Sequence, residues 1–233
     1  MLRRGRAVFS LSRRFFAKDL RCEVLQYANR RQVLDFIVKY YLTTDPLMQL
    51  AKFGFWDVRS FYKDSFPLFT NEPVSFGIYT SGNDLIGAKL NYIIDVRKKK
   101  PEVPTWRLVK VDSRVLEFLR LIDQLEREVP LKAPEVKRWL NFVLGCIHPD
   151  YYRQGLSKHL WKLSLQKAEE FGCKGAFSVV TNYRAQEGLQ NLGFTTYRTV
   201  KYKHVFTDKN WQQMSKIEID GSDRVKIMGI TWY

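Results

Sequence analysis

The stretch Trp139-Leu140-Asn141-Phe142-Val143-Leu144-Gly145-Cys146-Ile147-His148-Pro149-Asp150-Tyr151-Tyr152-Arg153-Gln154-Gly155-Leu156-Ser157-Lys158 decides how this chain is read. Its first nine residues form an apolar run of the kind found in central strands buried on both faces. A short turn containing Gly155 follows, and then a helix over Arg153–Phe171, with Leu156, Leu160, Leu163, Ala168 and Phe171 on one face and Gly172 at its stop. A buried strand feeding a helix through such a turn builds an anion site. The first helical N–H groups lack intrahelical partners and carry partial positive charge, Gly155 lets the backbone approach a ligand, and Arg153 and Lys158 add charge. An ordinary strand-to-helix turn with a solvated Arg153 uses the same residues, so two readings stand at this point.

Working outward, residues from about Arg21 to Ala28 read as a short strand. Asn29 reads as a helix cap with Gln32 at the third position, followed by Val33, Phe36, Ile37, Tyr40 and Tyr41 at helical spacing. Asp45-Pro46 marks the cap and first residue of a second helix, and Phe55 to Phe66 predicts a third. Pro73 to Tyr79 and Leu85 to Ile94 form a hairpin around Ser81-Gly82-Asn83-Asp84, with Gly87 as a bulge or close-approach point. After the basic loop Arg97-Lys98-Lys99-Lys100-Pro101-Glu102-Val103-Pro104, a helix from about Asp112 is closed by Pro130 and Pro134. Gly175 to Val180 is a strand, Asn182 to Leu192 a helix stopped by Gly193, and Thr195 to Val205 and Arg224 to Trp232 are late strands. This order predicts a mixed α/β sheet rather than a doubly wound one.

The 233 residues predict a basic leader or tail over 1–19 and a single domain over 20–233, carrying a helical insert at about 97–136. No stretch approaches 18 consecutive apolar residues, which excludes a spanning helix, so no membrane partner is expected. Cys22, Cys146 and Cys173 are odd in number and far apart, and only His148, His159 and His204 are present. Neither a disulfide framework nor a metal site is therefore expected. The net charge is +15, a balance that raises nucleic acid or a phosphorylated ligand as a partner. Six of those charges, Arg3, Arg4, Arg6, Arg13, Arg14 and Lys18, precede the first acid. With Ser10 and Ser12 and the interleaved apolar residues they have the composition of a mitochondrial transit peptide; a solvated basic tail on a cytoplasmic protein is the alternative.

The run Tyr152-Arg153-Gln154-Gly155-Leu156-Ser157, preceded by Ile147-His148-Pro149, resembles the acetyl-CoA pyrophosphate loop of the GNAT superfamily of N-acetyltransferases, Q/R-x-x-G-x-G/A after a strand ending V-x-P. Tyr152 and Ser157 depart from that pattern. Thr181-Asn182-Tyr183-Arg184-Ala185-Gln186 and Asn191-Leu192-Gly193-Phe194 resemble the family's downstream T-N-x-x-A and L-G-F stretch. From about Arg21 onward the chain is most similar in pattern to the invertebrate arylalkylamine N-acetyltransferase branch, through Tyr40 to Leu47, Leu85-Ile86-Gly87-Ala88 and the helical insert.

That resemblance implies a mixed, mostly antiparallel seven-stranded sheet with helices on both faces and a V-shaped split between its fourth and fifth strands. It implies acetyl-CoA as co-substrate, with no metal, and a small primary amine, an arylalkylamine, as acceptor. A monomer is expected, and the positive charge then suits the cofactor's phosphates rather than nucleic acid. The cofactor would be held by Cys146, Ile147, Tyr152, Arg153, Gln154, Gly155, Leu156, Ser157 and Lys158, with Leu144 to Ile147 pairing its pantetheine arm and Asn182 on the other side. The branch's F-F-x-x-E-P-L motif carries a glutamate proposed as base; here that position is Asp45, one methylene shorter, which also suits a plain helix cap. The tyrosine that protonates the CoA thiolate in many relatives is replaced by Leu189, and the branch's serine lies near Ala185. Tyr183, Ser157 and Tyr151 are candidate replacements, and an acyl-CoA-binding pseudoenzyme is the alternative reading. His148 and Cys146 read as packing residues, and Trp56, Phe61, Tyr62 and Phe66 as an amine pocket or as core.

Overall fold

The computed structural model describes residues 19–98, 113–206 and 217–232. The basic leader up to Lys18, most of the basic loop after Lys98 and Asp112 lie outside the described residues. One sheet organises the rest: β1 (Leu20–Val24), β2 (Phe76–Thr80), β3 (Leu85–Asp95), β4 (Arg138–Ile147), β5 (Gly175–Val180), β7 (Arg224–Thr231) and β6 (Thr195–Lys201), in that spatial order. β4 and β5 run parallel and every other neighbouring pair is antiparallel. Helices α1 (Arg30–Phe36), α2 (Pro46–Leu50), α3 (Phe55–Thr70) and α4 (Ser113–Lys132) belong to the larger apolar cluster, which contains Trp139, Leu144 and Cys146 of β4. Helix α5 (Leu156–Glu170) and helix α6 (Tyr183–Gln190) pack with Leu140 and Phe142 on the opposite face, the phase of β4 being reversed before Leu144 by a bulge at Val143.

Three local expectations change. Asn29 closes a 3₁₀ turn by accepting from the Gln26 N–H at 2.8 Å instead of capping α1, and Gln32 donates to the Asn83 carbonyl at 3.0 Å. Pro130 lies inside the last turns of α4, which runs on to Lys132. Helix α5 begins at Leu156, three residues later than the apolar spacing indicates, because Arg153 and Gly155 hold φ of 63° and 74° and helical geometry cannot pass through them. Gly87 is the close-approach point: a Cβ there would meet Ile147 Cδ1 at 2.8 Å.

The parting of β4 from β5 positions the site. Their ladder holds three residue pairs, Trp139 with Gly175, Leu140 with Ala176 and Asn141 with Phe177. Gly175 is required there, since a Cβ would stand 2.5 Å from the Trp139 ring. At the next step, past the last ladder pair, the Ser178 hydroxyl donates to the Phe142 carbonyl at 2.8 Å. Beyond it β4 pairs β3 alone as far as Ile147, while β5 pairs β7 as far as Val180. A shift of register leaves Val143 without a partner on β3, a bulge that bends β4 where it leaves β5. Helix α5 is tied to the sheet by buried polar groups: Asn91 Nδ2 donates to the Ser164 hydroxyl at 2.9 Å, and that hydroxyl donates to the Leu160 carbonyl at 2.8 Å.

Candidate active site

The loop from β4 to α5 exposes unpaired backbone N–H groups to which an anion could bind. His148 extends the β3–β4 ladder through its N–H to the Ile86 carbonyl at 2.7 Å, and Pro149–Tyr151 form a 3₁₀ turn. The two left-handed residues, Arg153 and Gly155, then turn the chain into α5, whose start is anchored by buried Leu156. Gly155 is the N-cap, so the N–H groups of Gly155, Leu156, Ser157 and Lys158 precede the first intrahelical donor, His159, which bonds the Gly155 carbonyl at 3.0 Å. Nothing lies within 4 Å of a Cβ built on Gly155, and Arg153, Gln154, Ser157 and Lys158 are exposed. This is a cradle of N–H groups with open space above it and two cationic side chains at its rim, and it fits a pyrophosphate. Tyr152 is half exposed; burial raises the pKa of its hydroxyl, with Cys146 adding to the rise and Arg184 opposing it.

Cys146 offers the split its backbone and no side-chain chemistry. Its thiol is buried among the α1–α4 residues, and burial pushes its pKa up to about 12. Asn182 caps α6, its Oδ1 accepting from the Arg184 N–H at 2.9 Å. The His148 ring packs against Tyr40, tilted by 60° with ring centres 4.5 Å apart, on the α1 side. Tyr151 shares that surface with His148, Tyr183 packs by Gly221 and Ser222, and Ser157 belongs to the anion loop. None of these three hydroxyls lines the pocket described next.

On the α1–α4 side of the split lies a pocket whose walls come from both parted strands: Asn141, Phe142 and Val143 of β4, Val179 of β5 and Thr181 just beyond it. Aromatic rings of Tyr41, Phe53, Phe61, Tyr62 and Phe118 close it, and Glu126 of α4 enters it, accepting from Asn141 Nδ2 at 2.8 Å and the Tyr92 hydroxyl at 3.3 Å. Of the aromatic residues singled out in α3, Phe61 and Tyr62 belong to this pocket. Phe66 is core and Trp56, 73 % exposed on the first turn, faces solvent. Helical phase separates them.

Asp45 stands behind the pocket wall, 5 % exposed. Its Oδ1 accepts from the Met48 N–H at 2.9 Å, so it does cap α2. Its Oδ2 accepts from the Thr181 hydroxyl at 2.5 Å and the Tyr41 hydroxyl at 3.2 Å, and both donors line the pocket. Burial raises the Asp45 pKa above the usual carboxylate range, with the Thr181, Met48 and Tyr41 hydrogen bonds opposing it. The Tyr202 hydroxyl donates to the Thr181 carbonyl at 2.5 Å and holds that residue in place. Sequence reasoning missed Tyr41 and Thr181 as site residues; their signal was membership of the two stretches that carried the resemblance.

A seven-stranded sheet that parts between two parallel strands, with an N–H cradle at the end of the fourth, is a specific architecture. The chain has the GNAT fold. Arylalkylamine N-acetyltransferase 2 from Aedes aegypti is similar at a TM-score of 0.75 and 18% identity, over 92% of this chain and 99% of that one. Drosophila melanogaster polyamine N-acetyltransferase, an enzyme that forms N-acetylagmatine, is similar at 0.71 and 15%, over 91% of this chain and 100% of that one. The NatC complex bound to Gag peptide and CoA is a more distant match, at 0.52 and 11%, over 92% of this chain and 99% of that one. At these identities the likeness is one of fold. No family model and no curated protein sequence matches the chain. Within the GNAT fold the insect arylalkylamine and polyamine enzymes superpose more fully on this chain than NatC does.

Proposed function

We propose that this protein is an acetyl-CoA-dependent N-acetyltransferase that moves an acetyl group to the primary amine of a small molecule by direct attack on the thioester. The observation that carries the reading is the split itself, with an anion cradle at the end of β4, an unpaired β4 edge leading inward and an aromatic pocket at the inner end. The solved neighbours include enzymes acting on arylalkylamines and polyamines and a complex holding CoA, which supports the same substrate classes here.

Acetyl-CoA supplies the activated acyl group; the residues of the chain do the rest. Gly155, Leu156, Ser157 and Lys158 offer N–H groups to the pyrophosphate, with Arg153 beside them. The β4 edge between Leu144 and Ile147 offers backbone groups to the pantetheine arm and an N–H where charge develops on the thioester oxygen. An alkylammonium has no lone pair, so the amine must lose a proton before attack. Thr181 accepts that proton as it passes its own to Asp45, whose raised pKa suits it to the task. Tyr41, Phe61 and Tyr62 supply faces to an aromatic amine, and Glu126 supplies an acceptor for a polar group at its far end.

A thiol-release assay with acetyl-CoA and a panel of aromatic amines, diamines and agmatine tests the reading, and saturable release with at least one is expected. Acetyl-CoA binding without release above background for every amine would instead support an acyl-CoA-binding pseudoenzyme, which is the reading favoured by the apolar side chains Leu189 and Ala185 on α6. We also infer that the acid-free basic leader addresses the protein to mitochondria.

A further inference from the structure

Lys89 is the anomaly of the interior. It lies in the middle of β3, is 3 % exposed and, among the described residues, meets no carboxylate. Its ammonium stands 4.2 Å from the centre of the Phe142 ring. Across the β3–β4 ladder its partner is Gly145, and a Cβ built there would touch Lys89 Cδ at 3.5 Å and Nζ at 3.9 Å. An alanine at 145 would fit in ordinary contact; it is the lack of a longer side chain there that leaves the lysine room to lie across β4. The Trp161 indole nitrogen of α5 would be 4.0 Å from the same point, and the far edge of that ring abuts Gly188 of α6. Lys89 therefore reaches the length of β4 that has lost its β5 partner, from the α5 side, opposite the aromatic pocket.

A lysine buried with no anion beside it is costly to charge, and an apolar residue in its place usually helps a fold. Its retention makes sense if a ligand brings the anion. Lys89 Nζ stands between Gly145 and Phe142, two and five residues before the end of β4 and so about 7 to 17 Å along the strand from it, beside the freed β4 edge that we assign to the thioester, so the anion it can meet there is one that forms at the thioester. We propose that Lys89 is the acid that protonates the sulfur of departing CoA. This rests on the acetyltransferase reading above. As the amine attacks, its N–C bond forms and the C–S bond breaks with its electron pair left on sulfur. Lys89 gives that sulfur a proton, leaving CoASH, while the acylated nitrogen sheds its second proton to water to become the amide; the now neutral Lys89 side chain takes a proton back from solvent, and Asp45 releases its own there, before the next turnover. The neighbours facing it, Phe76 on β2, Phe142 and Gly145 on β4 and Trp161 on α5, bring no titratable group. Burial alone lowers the Lys89 pKa, which makes the ammonium a better acid.

The test compares wild type with Lys89→Met, an apolar replacement of similar length, using acetyl-CoA and its selenoester analogue, whose selenol leaves without a proton. Turnover of acetyl-CoA by Lys89→Met should fall about a hundredfold with the Kd for acetyl-CoA unchanged, and the selenoester should restore it to near the wild-type rate. Equal loss with both esters, or no loss with either, overturns the role. A second readout compares bound thiols: the thiol of CoA bound to wild type should ionise at lower pH than that of CoA bound to Lys89→Met, followed by thiolate absorbance, and equal ionisation in the two also overturns it. Wild type that binds acetyl-CoA and acetylates no amine sinks the activity itself; wild type that turns over while either Lys89 result fails sinks the proposal alone.

Discussion

The Thr181 hydroxyl donates a 2.5 Å hydrogen bond to Asp45 Oδ2 across 136 positions of sequence, joining the cap of α2 to the end of β5. The same carboxylate thus ends a helix with one oxygen and reaches the pocket wall with the other. Asp45→Asn separates these tasks, because asparagine caps a helix as well as aspartate does. We expect turnover to fall between about a hundredfold and ten-thousandfold, as for loss of a general base, with acetyl-CoA affinity retained. Wild-type turnover in Asp45→Asn would return Asp45 to being a cap.

The pH dependence of stability follows from the direction of the Asp45 shift. Its folded pKa is raised by burial, so the folded state holds the proton more tightly than the unfolded chain. The stability contributed by that proton is fully present below the ordinary aspartate pKa of about 3.9 and is lost as pH rises through the raised value. Asp45→Asn, which cannot ionise, should lack this component, and its chemical-denaturation curve should gain on wild type as pH increases across that window. An unchanged gap between the two across pH would show that Asp45 is not raised.

Thr181→Val keeps the shape of the side chain and removes its hydroxyl. Asp45 Oδ2 then retains Tyr41 alone, at 3.2 Å. Losing a hydrogen bond to a buried charged group costs about 1–3 kcal/mol, measurable by urea denaturation, and turnover should fall with it if the proton travels through Thr181. Activity equal to wild type would assign the relay to Tyr41.

At the anion loop, Gly155→Asp should abolish acetyl-CoA binding, measured calorimetrically. The site has room for a side chain, so the effect comes from the negative charge together with about 1–2 kcal/mol for holding a non-glycine residue at φ 74°. Gly155→Ala carries the strain without the charge and should retain most of the affinity. Equal loss in both would trace the effect to the backbone rather than to phosphate repulsion.

Phe61→Ala opens the aromatic wall of the pocket. The KM for arylalkylamines should rise at least tenfold, since an apolar group in a substrate pocket is worth about 1–3 kcal/mol of discrimination, with a smaller change for agmatine. An identical effect on both amines would remove the aromatic face from substrate selection.

The leader gives a separate test in cells. Residues 1–19 fused to a fluorescent protein should carry it to mitochondria, and replacement of Arg3, Arg4, Arg6, Arg13 and Arg14 by glutamine should leave it in the cytoplasm. A diffuse signal from the unaltered leader would make it a basic tail.

What the sequence by itself determined is local or nearly so. The Asp45 cap rests on contacts within three residues, the anion loop is a contiguous turn, and the strand and helix order follows from apolar periodicity. The parting of β4 from β5 was available through resemblance alone, since no residue of either strand announces where a ladder ends; Ser178 and the Val143 bulge decide it in three dimensions. The same holds for side-chain direction. Trp56 and Phe61 share a helix and a chemistry, yet only packing sends one to solvent and the other to the pocket. Lys89 shows this most sharply: nothing in the strand Leu85 to Ile94 marks that lysine out, and only the assembled sheet lays it, buried, over β4 beside Gly145. Periodicity encodes the spacing of side chains along an element, whereas the neighbours of each face, and with them the burial and ionisation of Asp45 and Lys89, exist only once the sheet is assembled.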